Sequence, residues 1–383
     1  MRSVSSLLKK LALAFVVVLL LTQIPFAYRR YKLHKLSAAI NQINSQRTTP
    51  ETSPKWSEYK GVIHVHSFLG GHSSGTFSDI IAAAKANQLD FVVMTEHTEQ
   101  DFDTAAMTLK DRHAGVLFVN GNESAAANGD RLLTLPENIS IAAYPENFQD
   151  WNAPGLSGVE VYNVYTNARQ ANPVTAFFDV LWSHRAYPDL LFGLYYERPT
   201  EGLKKWDQGL AHARLTATPG NDAHANIGLS LQDGTGKTWA GIQLDPYSTS
   251  FRLVRLHVLI DSGKTLDTAQ LLNAIKAGHC FIGFDLFGDT SGFSFAVSTP
   301  TQTAIQGDEI TLQSNTRLRI QTPVASRILL FRDGAVILNE SGITTKEFPV
   351  TKRGVYRVEV YLPEIERIIG EKPWIISNPI YVR

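Results

Sequence analysis

What most constrains this chain is a repeated pairing of short apolar runs with side chains, at their ends, that can bind a cation. Residues 61–65, 90–94, 115–119, 139–143, 158–161 and 215–218 read as buried strands. Between the first two, residues 77–88 carry Ile80, Ile81 and Ala84 at helical spacing, with Ser78 as the expected N-cap. Strand–helix alternation predicts an α/β fold with a largely parallel sheet, open or closed as a barrel.

The run ends are more informative than the runs. The first closes in His64-Val65-His66 and the second in Thr95-Glu96-His97. Gly121-Asn122-Glu123, Tyr144-Pro145 and Tyr162-Asn163 follow the next three, and Gly220-Asn221-Asp222-Ala223-His224 follows the last. In a parallel α/β barrel the C-terminal strand ends share one rim, so residues distant in sequence converge. Side chains alternate along a strand, so His-x-His is expected to place both imidazoles on one face. Each motif alone is weak, because a strand histidine is more often packed or exposed than ligating. Five of the eleven histidines (His64, His66, His72, His97 and His224), joined by Glu123 and Asp222, make a metal centre the expected reading. The single cysteine, Cys280, excludes an intramolecular disulfide and any thiolate-rich site. Imidazole and carboxylate ligands suit zinc, manganese or iron.

Other candidates default to structure. His113, His184, His212, His257 and His279 read as surface or satisfied core histidines, and Asn163 serves a pocket or a turn equally well. Gly234-Thr235-Gly236-Lys237-Thr238 lacks the first glycine and the preceding strand of a phosphate loop.

The motifs His64-Val65-His66-Ser67, Thr95-Glu96-His97, Gly121-Asn122-Glu123 and Asn221-Asp222-Ala223-His224 resemble those of the polymerase and histidinol phosphatase (PHP) metallohydrolases. The resemblance covers roughly residues 58–290; Trp206-Asp207 and Asn378-Pro379-Ile380 look more narrowly like the CehA/McbA-type branch. It implies a distorted (β/α)7 PHP-type barrel, a cluster of up to three metals and phosphoester hydrolysis. Carried over by position, His64, His66, Glu123 and Asp222 resemble the ligands of one ion, and His72, His97 and His224 those of another. Where the family usually has His-Pro this chain has Tyr144-Pro145, and Glu96 stands where Asp is common. The resemblance thus implies one or two divalent ions. It leaves Tyr144 as a hydrogen-bond donor, a weak ligand or a pocket wall, and Glu96 as a carboxylate that tunes His97.

At the N-terminus, residues 11–21 are uniformly apolar and residues 11–28 carry no charge. Eighteen helical residues reach about 27 Å, close to the ~30 Å hydrocarbon core of a bilayer. The run ends in Ile24-Pro25-Phe26-Ala27-Tyr28, which lacks the Ala-x-Ala pattern of a cleaved signal. Residues 1–36 are therefore expected to be a retained single-pass anchor. Lys9 and Lys10 before it and Arg29, Arg30 and Lys32 after it leave orientation open, with the catalytic part expected on the extracytoplasmic side. Residues 37–57 read as a polar tether and 58–291 as the barrel. From 292 to 383 the pattern alternates, and Asp333-Gly334 signals a hairpin, so a C-terminal β-sandwich is expected.

The 36 basic residues match 36 acidic ones, which argues against a nucleic-acid surface. The expected partners are a membrane and a small-molecule ester, phosphorylated in the leading reading. Hydrolysis of a carboxylic ester or amide is the first alternative. The second is a non-catalytic, metal-binding envelope protein.

Overall fold

The protein is described by a computed structural model that covers residues 2–48, 55–232 and 238–383. The glycine-rich residues 234–237 lie outside the described residues.

Two large sheets and the helices packed on them make a mixed α/β fold. In the larger sheet, Trp56–Val65 lies between Phe91–Met94, parallel to it, and Arg255–Asp261, antiparallel to it. Val116–Val119 follows in parallel beyond Phe91–Met94. The smaller sheet runs in the order Thr216–Gly220, Leu156–Asn163, Ile139–Ala143, Arg131–Leu135, Asn122–Ala125, Glu96–His97. The pairing is mixed rather than largely parallel. Asn122–Ala125, Arg131–Leu135 and Ile139–Ala143 form an antiparallel meander, because their connections are too short for a crossover.

The sheets approach each other where the ligand-type residues lie. Asn221 N donates to Ile63 O at 3.0 Å, Ala223 N to His64 O at 3.1 Å, and His66 N to Ala223 O at 3.0 Å. A parallel bridge between Val65 and Ala223 completes the seam. The helix Phe77–Ala86 is capped by Thr76 and not by Ser78: Thr76 Oγ1 accepts from Asp79 N, and Asp79 Oδ2 accepts from Thr76 N. Thr76 precedes the helix with extended backbone, as an N-cap does, whereas Ser78 lies inside it.

The N-terminal helix is longer than the expected anchor, running over Arg2–Gln46. One stretch of it is long and apolar enough to cross a membrane. The tether expected over 37–57 is therefore helical as far as Gln46. Leu33, Leu36 and Ile43 are buried in the main core, and Ile40 packs against it. Arg29 makes a bidentate ion pair with Asp179 at 2.7–2.9 Å, and Arg47 pairs with Asp289 at 3.0 Å. Burying two leucines contributes roughly 4 kcal/mol. A soluble fragment starting at residue 37 should therefore be less stable in urea by about that amount than one starting at residue 23. Equal midpoints and slopes would show that the helix merely rests on the surface.

The C-terminal strands are not set apart as a separate sandwich. Pro373–Ser377 pairs with Cys280–Gly283, so the larger sheet continues across the boundary expected at 291/292. Asn378 strengthens the join: its Oδ1 accepts from Ala217 N at 2.7 Å, and its Nδ2 donates to Cys280 O at 2.9 Å. The hairpin at Asp333-Gly334 is present, with φ of 50° and 78° as a type I′ turn requires. Arg317, Leu318, Arg319 and Ile320 alternate exposed and buried as expected, but Gly354–Tyr361 is buried on both faces.

His257 is a satisfied core histidine. Its Nδ1 faces Glu58 Oε1 at 2.7 Å, its Nε2 faces Thr290 Oγ1 at 3.0 Å, and its ring stacks on Phe281. Burial lowers its pKa, but the Asp285 and Glu58 carboxylates outweigh this and raise it to about 9. A pKa raised on folding stabilises fully below the unfolded value of ~6.5 and is lost as pH climbs through 9. Wild-type stability should fall by on the order of 3 kcal/mol across that window. His257→Gln should show a flatter profile in chemical denaturation; an unchanged slope would contradict the assignment.

Candidate metal centre

His64, His66, His97, Glu123, Asp222 and His224 converge at the seam between the sheets. The His66 ring lies 4.4 Å from that of His97, 4.1 Å from that of His224 and 5.0 Å from that of His64. His66, His97 and His224 form one set of ligand atoms close enough to share an ion; His64, His66 and Glu123 form another. Asp222 Oδ1 lies 3.6 Å from His64 Nε2 and 3.5 Å from His66 Nε2, between the two sets. His97 Nδ1 stands 3.2 Å from Glu123 Oε2.

The backbone is strained where it delivers these groups. His64, Tyr144 and Asp222 all have positive φ, at 69°, 52° and 46°. Such values are uncommon for residues other than glycine and cluster at functional sites. His64 also sits at a register shift between Ile63 and Val65. Simple alternation therefore does not bring His64 and His66 together; an irregular strand end does.

The other expected site residues are placed as follows. His72 is exposed, with its ring edge-on to His97 at 5.0 Å, and it belongs to neither ligand set. Glu96 does not tune His97. Its buried carboxylate accepts from Ser67 N and Oγ and from Thr108 Oγ1 at 2.6–2.9 Å, so it fixes the turn after His66. Adjacent strand residues point to opposite faces, which separates Glu96 from the ring of its neighbour. Tyr144 Oη donates to Asp222 Oδ2 at 3.0 Å, which makes it a positioning donor. Asn163 takes both roles left open for it. Its Nδ2 donates to Glu160 and Asp222, while its Oδ1 caps the helix Val164–Arg169.

Glu160 was missed. Fully buried, it meets His64 Nδ1 at 2.5 Å and so orients that ring from behind. Gly220 permits this approach, because a Cβ there would lie 2.0 Å from Glu160 Oε2. The signal was available as a lone carboxylate inside the apolar run Val159-Glu160-Val161.

Electrostatics separate the histidines. Burial lowers the pKa of His64, but the Glu160 and Asp222 carboxylates prevail and hold it well above its ordinary value. Burial, together with His64 and His224, pushes His66 well below its ordinary value, so it stays neutral. Burial opposes ionisation of Asp222, yet His64 and His224 hold it far below the carboxylate range. Burial and the neighbouring carboxylates push the Tyr144 phenol up, which keeps it protonated.

Among the described residues, three buried atoms of the cluster find no hydrogen-bond partner: His66 Nδ1, His66 Nε2 and Asp222 Oδ1. An orphaned buried polar atom is costly unless something else satisfies it. A neutral imidazole and an ionised carboxylate are the forms that ligate divalent cations, so this donor set fits a metal ion. No protein-family model matches the chain, and no curated protein matches it.

Proposed function

We propose that the chain is a membrane-anchored, metal-dependent hydrolase of the PHP type that cleaves a phosphoester. The observation that carries this reading is His66, buried and neutral, whose ring nitrogens make no hydrogen bond among the described residues and lie between two groups of ligand-type residues. The seam at Val65 and Ala223 supports closure of the two sheets into the distorted barrel of the resemblance.

One or two divalent ions held by residues among His64, His66, His97, Glu123, Asp222 and His224 would lower the pKa of water toward ~7 and offset charge on the phosphoryl oxygens. The remaining work falls to the chain. Glu160 orients His64, and Tyr144 and Asn163 aim Asp222. Arg131, 44% exposed with Nη1 3.6 Å from Glu123 Oε1, stands where it can donate to phosphoryl oxygens. That cation favours a phosphoester over a carboxylic ester. In the reaction the water oxygen bonds to phosphorus, the bond to the ester oxygen breaks, and the departing alkoxide takes the proton given up by water.

Metal analysis of the purified full-length chain, beside a panel of phosphomonoesters, phosphodiesters and carboxylic esters, tests the reading. Bound metal with hydrolysis of a phosphoester is the expected result; metal without hydrolysis of any ester would favour the binding protein instead. Tyr144→Phe should keep the metal content and lower turnover about tenfold, since Asn163 still holds Asp222. Loss of an ion in that variant would make Tyr144 a ligand and overturn its role as a donor.

A further inference from the structure

A cavity of about 440 Å³ lies among the helices Val164–Arg169, Pro173–Ser183 and Leu190–Tyr195. Its walls are mainly apolar and include Ala168, Ala176, Val180, Leu191 and Phe192. The size suits a small-molecule site. One end lies beside the metal centre: Tyr165 lines the cavity, and its ring stands 5.9 Å from that of His224. Arg169, exposed and over the Tyr165 ring, supplies a cation at the rim.

The other end faces the anchor. Helix Pro173–Ser183 packs on the N-terminal helix at the C-terminal end of its uncharged run: Phe26 stacks on Phe178 at 4.6 Å, and Trp182 Nε1 donates to Gln23 Oε1 at 3.0 Å. Arg29 pairs with Asp179, which itself lines the cavity. While one face of this helix forms the cavity wall, the adjacent face exposes Val174, Phe177 and Leu181 by 51–67%. An apolar stripe beside the end of a membrane span belongs at the bilayer interface.

We infer that the cavity holds the hydrocarbon tail of a membrane-resident amphiphile, whose anionic ester head lies between Arg169 and the His66–His97–His224 group. This rests on the hydrolase reading for the ester, while the tail site itself is read separately by binding. The test uses the full-length chain in nanodiscs and two measurements. Fluorescence titration with pyrenyldecyl phosphate on metal-free protein reads tail binding. A series from ethyl to dodecyl phosphate, with metal, reads hydrolysis.

Wild type should bind the probe saturably, and kcat/KM should rise at least tenfold along the series. Ala176→Trp, which fills the cavity, should weaken probe binding at least tenfold and flatten the series while ethyl phosphate turnover persists. Ala171→Trp at the rim provides a second variant should the first misfold. Binding that both tryptophans abolish, with no ester cleaved, would leave the tail site standing and remove the hydrolase reading. Cleavage that is flat along the series, or probe binding unmoved by either tryptophan, would overturn the tail site and spare the hydrolase.

Discussion

His66→Ala should remove the bound metal and lower hydrolysis by at least ~10³-fold, because His66 is the one residue common to both candidate ligand sets. A Glu or Asp at the periphery can be replaced by water, but an imidazole at the centre of the cluster cannot be replaced without opening both sets. The variant should not be unstable in the absence of metal. Both His66 ring nitrogens are buried without a hydrogen bond among the described residues, so deleting the ring also deletes two unsatisfied groups. Thermal melts with and without metal then provide a readout independent of turnover. Wild type should gain about 3 kcal/mol at a hundredfold excess of free metal over Kd, and His66→Ala should gain nothing. His113→Ala is the control, since His113 lies away from the cluster and faces Lys110 O. A variant that keeps full metal content, or a wild type that gains no stability from any of zinc, manganese or iron, would refute the centre.

Much of that centre was legible because its ligands sit at the ends of short, fully apolar runs. Phe91–Met94 and Val116–Val119 are buried at every position, so period-two alternation was never needed to find them. What escaped depended on local irregularity or on distant partners. Nothing in the letters His64-Val65-His66 announces a left-handed residue at the first position. Glu96 reads as a neighbour of His97, and only the fold brings Ser67 and Thr108 to its carboxylate. The helical extension to Gln46 is a different case. Leu33, Leu36, Ile40 and Ile43 are spaced 3, 4 and 3 apart, which is a buried helical stripe. Polar residues between them, and Pro25 upstream, masked a pattern that was present. Pro25 is accommodated inside the helix, which runs unbroken from Arg2 to Gln46.

The C-terminal region misled for an electrostatic reason, and Arg357 shows why. Arginine and glutamate at alternate positions of Gly354–Tyr361 imply a wet face, yet Arg357 is only 2% exposed and Glu359 is fully buried. Arg357 makes a bidentate pair with Asp207 at 2.7 Å, donates to Glu359 at 2.7 Å, and lies over the Phe331 ring at 4.0 Å. Asp207 belongs to the helix Thr200–Leu210, so this buried cation ties the C-terminal sheet to the part of the fold that leads into Thr216–Gly220 and Asp222. Trp206 carries the link onward by donating from Nε1 to Leu215 O at 2.8 Å. Arg357→Met keeps most of the side-chain volume but strands Asp207, while Glu359 retains Arg198 at 2.6 Å. Breaking one partner of a buried pair costs about 3–5 kcal/mol, and the retained Arg198 contact places the expectation near the lower figure. Asp207→Leu in the Arg357→Met background should recover part of that loss, because no uncompensated carboxylate remains against the helix. A double-mutant cycle in urea should return a coupling energy above ~1 kcal/mol. Additive effects of the two substitutions would mean that the pair is incidental, and that the apolar sheet contacts alone hold the C-terminal strands to the site.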